Sequence, residues 1–465
     1  MSMPGLTENI AQFISRTAYA DIPAAAIALS KKSIADTFAV ILAGANSEVT
    51  PHLTRYAKLS GGTGSIPILG TGLTASPEIA AMINGTFGHA LDYDDVLSIM
   101  PGHPSAIIVA AIVACMEKRK ISGRQLLEAY MVGIELAGKI GSAITVGHYN
   151  RGFHGTGTLG IFSAVGALAK LLDLDMPTTR MALGIACSMA SGVRRNFGTM
   201  TKPLHTGWAA RSALTAVDLA SCGFTAAQDA LEAESGFFAA YGVESSNPEA
   251  ACDVLGKPWT VLDPGIALKL FPCYAGSHRA MDGVLQLTKK LKFTADTLDH
   301  LECRMPPGGM RVLIYPTPKT GLEGKFSLQY SLAAGVLDQE YTLWTFTDEA
   351  VRRPEIQDVM RKITVGEDTR CGGDDPLMET KVGGSRGFVE VEVTLKDGRH
   401  ETVSVDSAPG RGSRQLTWDD LHRKFTDCAC YSDMDQDRAQ RAWHMLTEVE
   451  HCADIIDITS LLVKT

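Results

Sequence analysis

The sequence predicts a two-domain fold: a large all-α helical domain formed by both chain ends, and a smaller α+β domain between them. Three observations predict it. Apolar residues recur three to four apart through roughly the first 265 positions, the period of a half-buried helix. At 388–395 apolar and acidic residues alternate strictly, followed by a turn and a second alternating run. Past the Pro409-Gly410-Arg411-Gly412 linker the helical period returns. The expected boundaries are 1–267 and 408–465 for the helical domain and 268–407 for the α+β domain. With 465 residues, 45% of them hydrophobic, the chain is long enough for two cores.

Taken in order, Ile10, Phe13 and Ile14 open one amphipathic stretch. Ile34, Phe38 and Leu42 share a face of the next, which Gly44 ends. The spacing predicts a helix over 81–94, and Pro104 suits the first turn of an apolar helix at 106–116. Residues 124–146 and 159–173 repeat the period with small-residue faces that allow close packing. The texture changes near Pro264. Segments 301–305 and 312–315 read as strands, and 327–337 and 347–359 as helices. Val389, Val391 and Val393 alternate with Glu390 and Glu392, and Asp397-Gly398 turns the chain into 402–405, a hairpin signal. Thr417 and Asp420 stand at the spacing of a capping box.

The bulk properties exclude some functions. A net charge of -9 without a basic tract argues against nucleic acid as a partner. No apolar run reaches the ~18 residues of a membrane span. The first eight residues lack a basic region and an apolar region, so no secretory leader is expected. The ten cysteines are scattered and no Cys-x-x-Cys occurs, which predicts a cytoplasmic protein with reduced thiols and no metal.

Five segments carry candidate chemistry. His89-Ala-Leu-Asp92-Tyr-Asp94-Asp95 and Gly-His103-Pro-Ser pack three carboxylates and two imidazoles against the start of a core helix. Carboxylates that close repel, and a histidine at a helix N-terminus favours its neutral, basic form. His154 sits in a Gly/Thr loop at a helix start, a setting that binds anions through backbone N–H groups. Lys202 and His205 lie among small and hydroxylic residues, where a lysine can hold a carboxylate as a point charge. Lys269 precedes Leu-Phe-Pro-Cys273 near the expected boundary, and Tyr330 ends Phe-Ser-Leu-Gln-Tyr.

Together, in this order, the segments resemble the MmgE/PrpD family, from about residue 8 to residue 425. The matching pieces are His-Ala-Leu-Asp-Tyr-Asp-Asp with Gly-His-Pro-Ser, Phe-His-Gly-Thr-Gly-Thr-Leu-Gly, Thr-Lys-Pro-Leu-His-Thr-Gly, Lys-Leu-Phe-Pro-Cys and Lys-Phe-Ser-Leu-Gln-Tyr. The resemblance implies that the α+β domain is a lid, that the pocket is lined by Asp92, His103, His154, Lys202, Lys269 and Tyr330, and that the protein is a homodimer without metal or organic cofactor. It implies a lyase acting on a small di- or tricarboxylate, of dehydratase or decarboxylase type. An epimerase of a dicarboxylate such as iminodisuccinate is the alternative, and a non-catalytic polycarboxylate binder a further one. In this reading His103 is the principal proton donor or acceptor, with His154 polarising the substrate. Lys202, Lys269 and His205 bind it, Tyr330 relays a proton, and Asp92 fixes an imidazole tautomer. Val96 stands where the decarboxylase branch resembles Asp-Asp-Thr, so a hydroxyl of that branch is missing here.

Overall fold

The computed structural model describes residues 5–60, 63–372, 381 and 385–464; residues 1–4, on which the expectation of no leader partly rests, lie outside them. The chain is mostly helical and its contacts divide it into two units. The first comprises Met1–Asn196, Met200–Ile266 and Thr417–Thr465; the second comprises Phe197–Thr199 and Ala267–Leu416.

In the first unit the opening helices are α1 (Leu6–Arg16) and α2 (Ala24–Gly44). A short antiparallel pair follows, β1 (Ile66–Ile68) with β2 (Leu73–Ala75), so this unit is not purely helical as the sequence suggested. Three residues per strand leave too little alternation to register as a pattern. Then come α3 (Pro77–Ala90), α4 (Ser105–Ala114), α5 (Gly123–Asn150), α6 (Gly160–Leu171) and α7 (Thr201–Ser221). Every residue of α4 is buried and all after Ser105 are apolar, as a central helix requires. Each Ile or Val it buries stabilises the unit by roughly 1.5–3 kcal/mol.

Helix α5 is long and apolar enough to cross a bilayer by length and composition, although no single apolar run in the sequence is. Most of it is buried inside the unit. Its acid Glu135 accepts the backbone N–H groups of Gly256 and Thr260, and Lys139 donates to the Pro258 carbonyl. Charged groups with partners inside the unit are what a core helix requires.

The second unit holds α8 (His278–Leu291), α9 (Leu328–Asp338) and a four-stranded sheet. The strands are β3 (Leu298–Met305), β4 (Ile363–Glu367), β5 (Val389–Leu395) and β6 (His400–Val405), in spatial order β4-β3-β5-β6. The Asp397-Gly398 hairpin joins β5 to β6 with Val391 opposite Val403. Two expectations fail here. Residues 312–315 form no strand; Val312 and Leu313 are buried in a loop. The 347–359 helix is split into Asp348–Val351 and Pro354–Met360, because the ring of Pro354 drives Arg353 out of helical geometry to ψ 129°.

The last segment returns to the first unit through α10 (Trp418–Tyr431) and α11 (Gln436–Thr447). Thr417 and Asp420 form the capping box at the start of α10.

Candidate active site

The expected helix over 81–94 stops at Ala90, and Asp92 takes a positive φ of 52°. Residues 92–95 offer no apolar side chain at helical spacing except Tyr93, and a short polar side chain tolerates the left-handed region. Asp92 therefore lies off the helix and shares no helical face with His89.

The turn sends the three buried carboxylates to three different partners. Asp92 Oδ2 accepts from Lys202 Nζ at 2.6 Å. Asp94 Oδ1 lies 2.8 Å from His89 Nδ1 and 3.5 Å from His103 Nδ1. Asp95 accepts Ser105 Oγ at 2.6 Å and the Ser105 N–H at 3.3 Å, and Ser105 Oγ is 2.6 Å from the Tyr130 hydroxyl. Burial, followed by the charge of Asp94, pushes the Asp95 carboxyl up to about 8. A proton on Asp95 at neutral pH relieves the repulsion that three adjacent acids would otherwise build.

His103 lies just before α4. Its Nδ1 is 2.6 Å from the Asp95 backbone carbonyl. A carbonyl only accepts, so Nδ1 carries the hydrogen and the basic nitrogen of a neutral ring is Nε2. Tautomer control thus comes from the Asp95 carbonyl for His103 and from Asp94 for His89. Asp92, expected in that role, is occupied by Lys202.

Close backbone approach brings His154 alongside. A Cβ at Gly102 would stand 2.7 Å from the Thr156 nitrogen, and one at Gly155 would stand 2.1 Å from the Met100 carbonyl oxygen. Only glycine lets these two turns touch. The His103 N–H then donates to Thr156 Oγ1 at 3.2 Å, and the same oxygen is 2.8 Å from His154 Nε2. Ring centroids are 4.3 Å apart for His89 and His103, and 6.4 Å for His103 and His154.

His154 Nδ1 faces His205 Nδ1 at 2.9 Å, a contact that requires one nitrogen to donate and the other to accept. Burial, then the Lys202 charge, holds His154 well below its ordinary value and His205 down at about 4. Both rings are neutral at pH 7. His205, expected to bind substrate, is seated against His154.

His89, Asp92, Asp94 and His103 offer ligand atoms within 4.8 Å of one another, as do His89, His103 and His154. Such a donor set has the chemistry of a divalent transition-metal site. The Lys202 ammonium already holds Asp92, however, and the imidazole contacts engage Asp94, so a cation would compete with both.

In the second unit Lys269 is buried, and Tyr330 lies in the apolar core. The Tyr330 hydroxyl donates to the Thr345 carbonyl, and burial pushes its pKa well up. A hydroxyl so placed supports the packing of α9; the proton relay expected of Tyr330 does not fit this geometry.

Comparison with known proteins agrees with the motif reading. Residues 8–249 match the MmgE/PrpD N-terminal domain and residues 271–448 the MmgE/PrpD C-terminal domain. The chain belongs to the MmgE/PrpD family. It is similar to the mouse cis-aconitate decarboxylase, 28% identical over 91% of this chain and 87% of the relative. The human cis-aconitate decarboxylase is 27% identical over 99% and 95%, and that of Aspergillus terreus 26% over 98% and 96%. This MmgE/PrpD chain is accordingly an enzyme, a lyase of the decarboxylase or dehydratase type.

Within this MmgE/PrpD chain, sequence reasoning gave no role to His89, Asp94, Ser105, Tyr130 or Thr156. His89 and Asp94 stood in the acidic stretch it singled out, but the helix drawn through 94 hid their pairing. Ser105, Tyr130 and Thr156 act through hydrogen bonds that join distant segments, which no spacing rule exposes.

Proposed function

We propose that this chain removes CO2 from a small tricarboxylate such as cis-aconitate, using its own side chains for the proton transfer. The observation that carries the reading is the His103 geometry: a partly buried imidazole with Nδ1–H on a backbone carbonyl, beside the Asp94 carboxylate. Nε2 is then the nitrogen that exchanges a proton with substrate. The similarity to cis-aconitate decarboxylases supports the substrate class.

In this reading Lys202 holds a substrate carboxylate, and Asp92 holds the lysine in place. Lys269, by its motif position, is the second cation proposed for a carboxylate. The bond from carbon to the departing carboxylate breaks and its electron pair remains on carbon. The cations stabilise that charge. His103, protonated at Nε2, then delivers the proton to carbon, and Asp94 offsets the positive charge carried by the ring before transfer. Neutral His154, with its ring nitrogens on His205 and Thr156, backs the site without adding a second charge. A cytoplasmic homodimer without a bound cofactor completes the proposal.

Val96 favours one second reading. It is half-buried just after Asp95 and brings no hydroxyl, unlike the threonine the decarboxylase branch resembles there. Water loss or epimerisation of a dicarboxylate then becomes the outcome of the same proton chemistry. Carbon NMR of purified protein with cis-aconitate, 2-methylcitrate and iminodisuccinate separates these. Release of CO2 from cis-aconitate is expected. Water loss, or inversion without loss of any group, would replace the decarboxylase reading.

A further inference from the structure

The loop that carries Asp92, Asp94 and Asp95 is held from the far end of the chain. Lys424, on α10, is almost wholly buried and pairs with Asp36 of α2 at 2.7 Å, each side chain 1% exposed. The same ammonium donates to the Tyr93 backbone carbonyl at 2.9 Å and lies 3.8 Å from the centre of the Tyr93 ring. That carbonyl belongs to the peptide unit whose N–H is Asp94's. Fixing it fixes the plane from which Asp94 departs, and with it the direction of the carboxylate between His89 and His103.

A buried ion pair is a weak source of stability, since desolvating two charges costs about as much as their attraction returns. Its use here is better sought in what the third contact holds. Asp36 alone would bury a charge, and Lys424 alone would do the same. Together they place a fully dehydrated, rigid donor at one backbone oxygen of a loop that already has a left-handed residue at Asp92.

We propose that Lys424, seated by Asp36, is a positioning residue of the candidate active site: it acts through the Tyr93 carbonyl to aim Asp94 at His89 and His103. The catalytic arm of the test rests on the proposed function; the spectroscopic arm does not. Removing both charges in Asp36→Asn/Lys424→Met leaves neither partner buried alone and preserves the volumes. A companion, Asp36→Asn/Lys424→Gln, keeps a donor for the Tyr93 carbonyl without the charge.

Nitrogen NMR of 15N-histidine protein reads the ring nitrogens of His89 and His103 directly. The Asn/Met variant is expected to shift the His89 and His103 Nδ1 signals while leaving those of His300 and His400, on the sheet of the second unit, unchanged. The Asn/Gln variant should return them toward wild type. With a turned-over acid, kcat should fall on the order of 10- to 100-fold with KM changed less than about threefold, the pattern of a misplaced group rather than a lost contact. A folded Asn/Met variant with wild-type His89 and His103 signals would overturn the proposal, as would equal shifts in the Asn/Gln variant. If wild type turns over none of the acids, the proposed function fails, and the NMR comparison still decides the role of Lys424.

Discussion

The sheet of the second unit and the candidate site of the first treat ionisable side chains in opposite ways. On the sheet of the second unit, Arg304 meets Glu302, Glu390 and Glu392, with each partner partly open to solvent. Such pairs contribute at most about 1 kcal/mol each and are screened by salt. In the first unit Asp92, Asp94, Asp95, His89, His154 and Lys202 are all buried, and His103 is partly so. Burial there costs stability, and part of the cost is avoided by neutral forms, with Asp95 protonated and His154 and His205 uncharged. Tyr330 and His103 make the contrast at single residues. The tyrosine gives its one hydroxyl to a backbone carbonyl. His103 gives Nδ1–H to a carbonyl, which makes Nε2 the basic nitrogen of its neutral ring. The lesson is that the same bond to a backbone carbonyl uses up the only proton of a phenol, whereas in an imidazole it selects which nitrogen is basic.

The largest test of that contrast is His103→Ala. Turnover should fall about 10²- to 10⁴-fold, the range for losing a general acid or base, while the circular dichroism spectrum stays that of wild type. Near-normal turnover would place the chemistry elsewhere.

Lys202→Met sharpens the contrast by stranding Asp92. Unfolding free energy should drop by roughly 3–5 kcal/mol, the cost of an uncompensated buried charge. Adding Asp92→Asn should restore most of the loss in urea titrations without restoring substrate binding. A single variant as stable as wild type would show that the pair is not buried as a unit.

The titration of the histidine pair comes next. His205 is depressed from 6.5 to about 4, so its contribution to stability is present above pH 6.5 and is lost as pH falls through about 4. Asp95 runs the other way: raised from 3.8 to about 8, it contributes fully below pH 3.8 and loses that contribution as pH rises through about 8. His205→Asn should therefore flatten the acid side of the stability profile by up to about 3 kcal/mol between pH 7 and 4. Asp95→Asn should flatten the neutral and alkaline side. An unchanged acid limb in His205→Asn would remove the pair from the account.

The smallest effect belongs to the second unit. Tyr330→Phe removes a single hydrogen bond to the Thr345 carbonyl and should cost about 1–3 kcal/mol, with turnover within about threefold of wild type. A loss of 100-fold or more would return Tyr330 to the chemistry.

Much of this was legible in the sequence, and the rest was not for identifiable reasons. The β5–β6 hairpin announced itself because one face is buried and the period is two. The capping box at Thr417 is a local event. The segments carrying His103, His154 and Lys202 were marked by their motifs. What failed was geometry made by distant contacts. The end of α3 at Ala90 depends on Asp92 adopting a left-handed turn. The partners of Asp92 and Asp94 depend on where that turn points. Lys424 lies more than 300 positions from the loop it holds, with no local signal of its role.

The most direct test of the central claim is proton NMR of the wild-type enzyme turning over cis-aconitate in D2O. If the His103 imidazole delivers the proton after carbon–carbon cleavage, each product molecule carries one carbon-bound deuterium taken up at the carbanion. Product formed without carbon-bound deuterium, or deuterium exchanged into the substrate with no CO2 released, would contradict it.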